Sequence, residues 1–142
     1  MMIRNAETDK EIQQCHALMQ LLRPDIDSTR FLDRVRQQQR AGYQLVAVYD
    51  EDQPACVAGY RISENLAWGR FLYIDDFVTA ADQRSKGYGA ALLAWLKKEA
   101  LGQRCSQMHC DSGLQRLDAH RFYEREGMLK TGYHFAECYS ES

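Results

Sequence analysis

An apolar run, Phe71 to Thr79, leads through Gln83–Leu93, Q-R-S-K-G-Y-G-A-A-L-L, into a run of helical period. The first turn of a helix carries unpaired backbone N–H groups and the positive end of the helix dipole, and glycines let an anion come close to that backbone. Arg84 and Lys86 add full positive charges at the same place. This strand, loop and helix therefore predict a phosphate-binding loop. A dinucleotide fingerprint would need a third glycine where Leu92 stands, and a Walker A loop would need Gly-Lys-Ser/Thr after its second glycine. Neither is present; what stands is R-x-x-G-x-G, with Arg84, Gly87 and Gly89 in those places.

A chain of 142 residues fits a single domain, 1–142, that buries a core without disulfides or metal. Its net charge of −2 and its mixed Lys/Arg and Asp/Glu leave no basic patch for nucleic acid and no polybasic membrane anchor. No apolar run approaches the roughly 20 residues of a membrane span, and the N-terminus M-M-I-R-N-A-E-T-D-K lacks a signal-peptide core, so a cytoplasmic protein is expected. The cysteines, Cys15, Cys56, Cys105, Cys110 and Cys138, are odd in number and show no C-x-x-C spacing, which reads as reduced thiols. Strand alternation would send His109 and Cys110 to opposite faces, so Cys105, His109, Cys110 and Asp111 are not read as a metal site.

Along the chain, Ile3–Ala6 reads as a first strand, and Thr8-x-x-Glu11 as a capping box before a helix that ends near Arg23-Pro24. Asp27 or Ser28 caps a second helix that stops at Gly42. Tyr43–Tyr49 and Ala55–Ile62 form a hairpin, and Phe71–Thr79 is the fourth strand. A helix over Gly87–Ala100, a fifth strand over Cys105–Asp111 and a last helix over Leu117–Glu126 follow, with Met128–Cys138 left for one or two final strands.

That order, the R-x-x-G-x-G loop, Asp76 eight positions before Arg84, and Phe122-Tyr123-Glu124-Arg125-Glu126-Gly127-Met128 together resemble the GNAT superfamily of acyl-CoA N-acyltransferases over nearly the whole chain. The resemblance implies an α/β (α+β) fold, a mixed, mainly antiparallel central sheet of six to seven strands flanked by about four helices. The stretch Arg116-x-Asp118-Ala119-His120-Arg121-Phe122-Tyr123 is similar to aminoalkylphosphonate N-acetyltransferases, with Arg116 where many superfamily members carry asparagine.

The function implied is transfer of an acetyl group from acetyl-CoA, as co-substrate, to a primary amine of a small molecule by direct attack in a ternary complex. The backbone of Ser85, Lys86, Gly87, Tyr88, Gly89 and Ala90, with the side chains of Arg84 and Lys86, would bind the coenzyme A pyrophosphate. By the resemblance, the backbone around Val78 and Thr79 would pair with the pantetheine arm. An alkylamine with a pKa of about 10 is protonated at neutral pH, so a carboxylate must help remove its proton, and Asp76 is the first candidate. Its neighbour Asp75 is expected on the opposite face unless a bulge intervenes. Tyr123 matches the family's general acid, and a phenol can protonate a departing thiolate. His120, three residues earlier, shares its helix face.

The acceptor site in this fold is usually walled by segments that correspond here to Leu21–Phe31 and Ser63–Trp68. Asp25, Asp27 and Glu64 could attract an amine, Trp68 and Tyr43 could stack on it, and Arg61, Arg70 and Arg116 could pair with an acidic group. Two other readings stand beside this one: a protein acceptor, lysine or N-terminal amine, and a binding module that holds acyl-CoA without turnover. An edge strand ending in Phe135–Tyr139 would favour a homodimer.

Overall fold

The computed structural model describes residues 1–140, leaving aside the side chain of Ser85. The chain divides into two compact units, Met1–Cys110 and Asp111–Ser142.

The first unit is a five-stranded sheet in sequence order, β1 (Met2–Asn5), β2 (Gln44–Asp50), β3 (Gln53–Asn65), β4 (Gly69–Thr79) and β5 (Gln107–Cys110). The first four strands run antiparallel and β5 joins β4 in parallel. Between β1 and β2 lie α1 (Asp9–Gln14), α2 (His16–Leu22) and α3 (Ser28–Gln39), and between β4 and β5 lie a 3₁₀ turn (Ala81–Lys86) and α4 (Tyr88–Gly102). The expected first helix is thus two, separated at the buried Cys15.

Local chemistry accounts for the helix starts. Thr8 and Glu11 close the capping box of α1, each side chain meeting the other's backbone N–H. Asp27 caps α3 by accepting from the Thr29 N–H at 2.7 Å. Periodicity then sets the core. Ile12, Leu18, Met19, Phe31 and Val35 of α1–α3 pack on Leu45, Ala47, Tyr49, Val57 and Val78 of the sheet. The alternate residues Val46, Val48, Cys56, Ala58 and Tyr60 are also buried, on the opposite face by strand alternation. There the Tyr60 ring meets Trp95 of α4 edge-on, and its hydroxyl donates to Glu99 at 3.0 Å. Each fully buried Leu, Ile or Phe contributes roughly 1.5–3 kcal/mol, so both helical layers are held by the sheet between them.

The second unit carries α5 (Leu117–Arg125). Gly127, at φ +99°, closes it in a left-handed turn, with the Met128 N–H bonded to the Tyr123 carbonyl at 2.9 Å and the Gly127 N–H to Glu124 at 3.1 Å. The one or two strands expected over Met128–Cys138 are not formed, so the described residues hold five strands rather than six or seven. Aromatic and β-branched residues mark what suits a strand, but a strand exists only through its pairing. The edge strand expected at Phe135–Tyr139 is corrected with it.

Candidate active site

The site begins with a register slip. Gly59 of β3 pairs with Asp76 of β4, but the next residue, Tyr60, pairs with Ile74, so Asp75 is an extra residue on β4. Such a bulge re-aims side chains that strict alternation would send to opposite faces. Asp75 and Asp76 accordingly both line one cavity of about 420 Å³, together with Tyr73 from the same strand. The β5 ladder ends at Ile74, immediately before the bulge, leaving Val78 and Thr79 outside it, paired with Val57 and Cys56 on the β3 side.

The opposite wall comes from α2, α3 and the turn between them: Met19, Arg23, Ile26, Phe31, Arg34, Val35 and Gln38. The last four recur at i, i+3, i+4 and i+7, one face of α3. Arg23 and Phe31 lie within the expected acceptor wall, whereas nothing from Ser63–Trp68 reaches the cavity. Trp68 instead stacks on His109, with centroids 3.5 Å apart and planes 11° from parallel.

The two carboxylates are held differently. Asp76 Oδ2 accepts from the Tyr43 hydroxyl at 2.9 Å, and its Oδ1 accepts from Arg23 Nε at 3.0 Å. Asp75 Oδ2 accepts from Arg61 Nε at 2.8 Å, and Arg61 in turn donates to Gln38 Oε1 at 2.8 Å. Burial raises the Asp75 pKa; the Arg61 guanidinium only partly offsets this, and the Asp76 charge adds a smaller push upward. Tyr43 is itself buried, and desolvation followed by the Asp76 charge holds its phenol well above the ordinary value. Its hydroxyl therefore stays protonated and stays a donor.

At the end of β4, Ala80 donates its N–H to Ala55 at 2.9 Å, and the chain then turns through Ala81–Lys86. Gly87 adopts φ +81° and stands at the N-terminus of α4, where no side chain caps the helix. A Cβ built on Gly87 would meet nothing within 4 Å. The protein's own demand at Gly87 is therefore the left-handed backbone, and the space in front of it is open. Arg84 and Lys86 flank this turn and make no ion pair or hydrogen bond with other described residues. Uncapped amides, open space and two unpaired cations fit a pyrophosphate.

Tyr123 lies in the second unit, half-buried on α5, with its ring edge-on to Phe122 at 5.3 Å. The bonds that close the helix at Gly127 fix its backbone. His120 Nε2 shares a hydrogen bond with the Gly113 carbonyl at 2.8 Å, a local structural bond within the same unit. Arg116 is the residue preceding α5. Cys15 and Cys56 are poor nucleophiles: both are buried, and desolvation pushes them up to about 12 and about 11.

Sequence reasoning missed Arg34, Gln38 and Gly59, and placed Arg23 within the expected wall without its bond to Asp76. A sign of Gly59 was present, since an isolated glycine inside a strand marks a close approach, here that of Tyr43. The helical spacing of Phe31 and Val35 predicted the buried face of α3 but not the polar residues beside it.

The model of the acetyltransferase (GNAT) family matches residues 12–128. A Bacillus subtilis (strain 168) protein called the uncharacterized N-acetyltransferase YhdJ is 33% identical over 139 residues, 94% of this chain and 95% of that protein. The aminoalkylphosphonate N-acetyltransferase of Salmonella typhimurium is 33% identical over 65 residues, covering 46% of this chain and 42% of that one. Among solved structures, the aminoglycoside N-acetyltransferase AAC(6')-Iy in complex with CoA superposes with a TM-score of 0.86 at 12% identity, over 97% of this chain and 93% of that chain. At that identity the likeness concerns the fold.

Proposed function

The chain belongs to the GNAT family of acetyltransferases, and on that premise we propose that it moves an acetyl group from acetyl-CoA to the primary amine of a small molecule. The observation that carries this reading is the bulge at Asp75. It turns two adjacent carboxylates into one cavity, on the strand that leads into the open, cationic turn at Arg84–Gly87. A cavity of about 420 Å³ walled by α2 and α3 suits a small acceptor rather than a protein chain.

Acetyl-CoA would supply the acetyl group as a thioester. The backbone of Ser85, Lys86, Gly87, Tyr88, Gly89 and Ala90, with the Arg84 and Lys86 side chains, is the proposed holder of its pyrophosphate, and Val78 and Thr79 the proposed strand edge for its pantetheine arm. Asp76 takes the proton from the acceptor ammonium, so that the nitrogen lone pair attacks the carbonyl carbon. The C–N bond forms as the C–S bond breaks. Tyr123 gives its phenolic proton to the departing sulfur, and the second proton lost from the nitrogen as the amide forms passes through solvent and restores the phenol. Asp75, with its raised pKa, is the second group that can take a proton in the cavity.

The test is thiol release from acetyl-CoA across an amine panel, for the wild type, Asp76→Asn and Tyr123→Phe. A loss of about a hundred-fold or more in kcat/KM in each variant is expected, the low end of general acid–base effects. Turnover unchanged in Tyr123→Phe would remove it as the acid. Tight acetyl-CoA binding with no release for any amine would favour a binding module.

A further inference from the structure

The cavity's two walls offer opposite hydrogen-bonding chemistry. On β4, Asp75 and Asp76 present acceptor oxygens, and their charges are already matched by Arg61 and Arg23. On α3, Arg34 lines the cavity and makes no hydrogen bond or ion pair with other described residues. Gln38, one turn further along, has its Oε1 committed to Arg61, and a guanidinium can only donate. That bond settles the amide's orientation and leaves Gln38, itself a lining residue, its Nε2–H₂ group to donate. Arg34 and Gln38 stand four residues apart, about 6 Å along the helix. The α3 wall is thus a donor surface with one unmatched positive charge. Asp25 and Asp27 do not offset it there: neither lines the cavity, and the Asp27 carboxylate is spent on capping α3.

A simple alkylamine or polyamine would meet carboxylates that are already paired, and an unmatched cation opposite them. We propose that the acetyl acceptor is a primary amine bearing an anionic oxyacid group, with its nitrogen facing Asp75 and Asp76 and its anionic oxygens held by Arg34 and the Gln38 amide. Arg34 is then a specificity-determining residue. This rests on the transferase reading above and deepens it. A carboxylate and a phosphonate present the same acceptor oxygens, and a guanidinium fork receives either.

The experiment compares amines that share an ethylamine skeleton: ethanolamine, β-alanine, 2-aminoethylphosphonate and ethylenediamine, each with acetyl-CoA, for the wild type, Arg34→Gln and Arg34→Glu. For the wild type, kcat/KM for an anionic member is expected to exceed that for ethanolamine about ten-fold or more, the scale of a hydrogen bond to a charged group. In Arg34→Gln that ratio should fall towards one, chiefly through KM, and in Arg34→Glu the preference should move to ethylenediamine. Comparison of β-alanine with the phosphonate separates the two oxyacids. Efficient turnover of ethanolamine or ethylenediamine without anionic preference overturns the inference while the transferase reading stands. A preference that survives both substitutions overturns the role of Arg34. No release from any of these or from a wider amine panel overturns both readings together. Arg34 is exposed, and equal melting temperatures for the variants would show that the fold is intact.

Discussion

The Tyr43 ring occupies the space that a side chain on Gly59 would fill: a Cβ built on Gly59 falls 1.9 Å from the Tyr43 hydroxyl and 2.3 Å from Cζ. Gly59 is also the β3 partner of Asp76, whose carboxylate receives the Tyr43 hydroxyl at 2.9 Å. One glycine therefore lets a buried phenol pack closely against β3 and reach the carboxylate beside the bulge.

Gly59→Ala should destabilise the protein by roughly 1–3 kcal/mol, the usual range for overpacking. Tyr43→Phe should not relieve that cost, because the ring atoms clash as well as the hydroxyl, whereas Tyr43→Ala should. Urea unfolding of the single and double variants measures this coupling. A Gly59→Ala cost that is the same in the Tyr43→Ala background would refute the contact.

Tyr43→Phe alone removes a donor from Asp76 and should lower stability by about 1 kcal/mol. Urea unfolding of Tyr43→Phe beside the wild type measures this, and an unchanged stability would show that the bond to Asp76 contributes nothing to the fold.

Burial raises the Asp75 pKa in the folded protein above the ordinary 3.8. The folded state then holds this proton at a pH where the unfolded chain has released it. The ionised Asp75 thus works against folding above the folded pKa, and that cost is relieved as pH falls through the window just above 3.8. Relative to Asp75→Asn, the wild type should gain stability on acidification from about pH 7 to about pH 4. Chemical unfolding at a series of pH values checks the sign, and a difference that moves the other way would show that Arg61 outweighs burial.

At the turn before α4, Gly87→Ala places a side chain at φ +81° and should cost about 1 kcal/mol of stability in the free protein. Because the space in front of Gly87 is open, its larger effect is expected on coenzyme A binding, by titration calorimetry. Arg84→Ala should weaken that binding and flatten its salt dependence without lowering the melting temperature. Unaltered affinity in both variants would move the pyrophosphate elsewhere.

Cys138 is exposed while Cys15, Cys56 and Cys105 are buried. A thiol reagent should label Cys138 first and reach Cys15 and Cys56 only on unfolding. Mass spectrometry of the labelled peptides reads the order, and early labelling of Cys56 would contradict its place in the sheet.

Much of this architecture was legible because its signals are local. The Thr8/Glu11 capping box, the Asp27 cap, the helical spacing of Phe31 and Val35 and the Gly87 turn each depend on residues a few positions apart. The loop at Arg84–Gly89 could be read from its glycines and charges for the same reason. Pairing is not local in this way, and the strands expected after Met128 show it, since apolar pattern alone does not supply an edge to pair with.

Asp76 could be singled out from the sequence, but strict alternation would have separated it from Asp75. Their convergence depends on the register between β3 and β4, where Gly59 pairs with Asp76 and Tyr60 with Ile74. The partners that hold them, Tyr43, Arg23 and Arg61, lie between 14 and 53 residues away in the chain. By itself the sequence determined most of the elements and the glycine turn before α4, because backbone preference and side-chain period act over a few residues. Only the tertiary structure decided which charges share the cavity and which one, Arg34, is left unmatched, because charge pairing is settled by positions in space that no short-range pattern encodes.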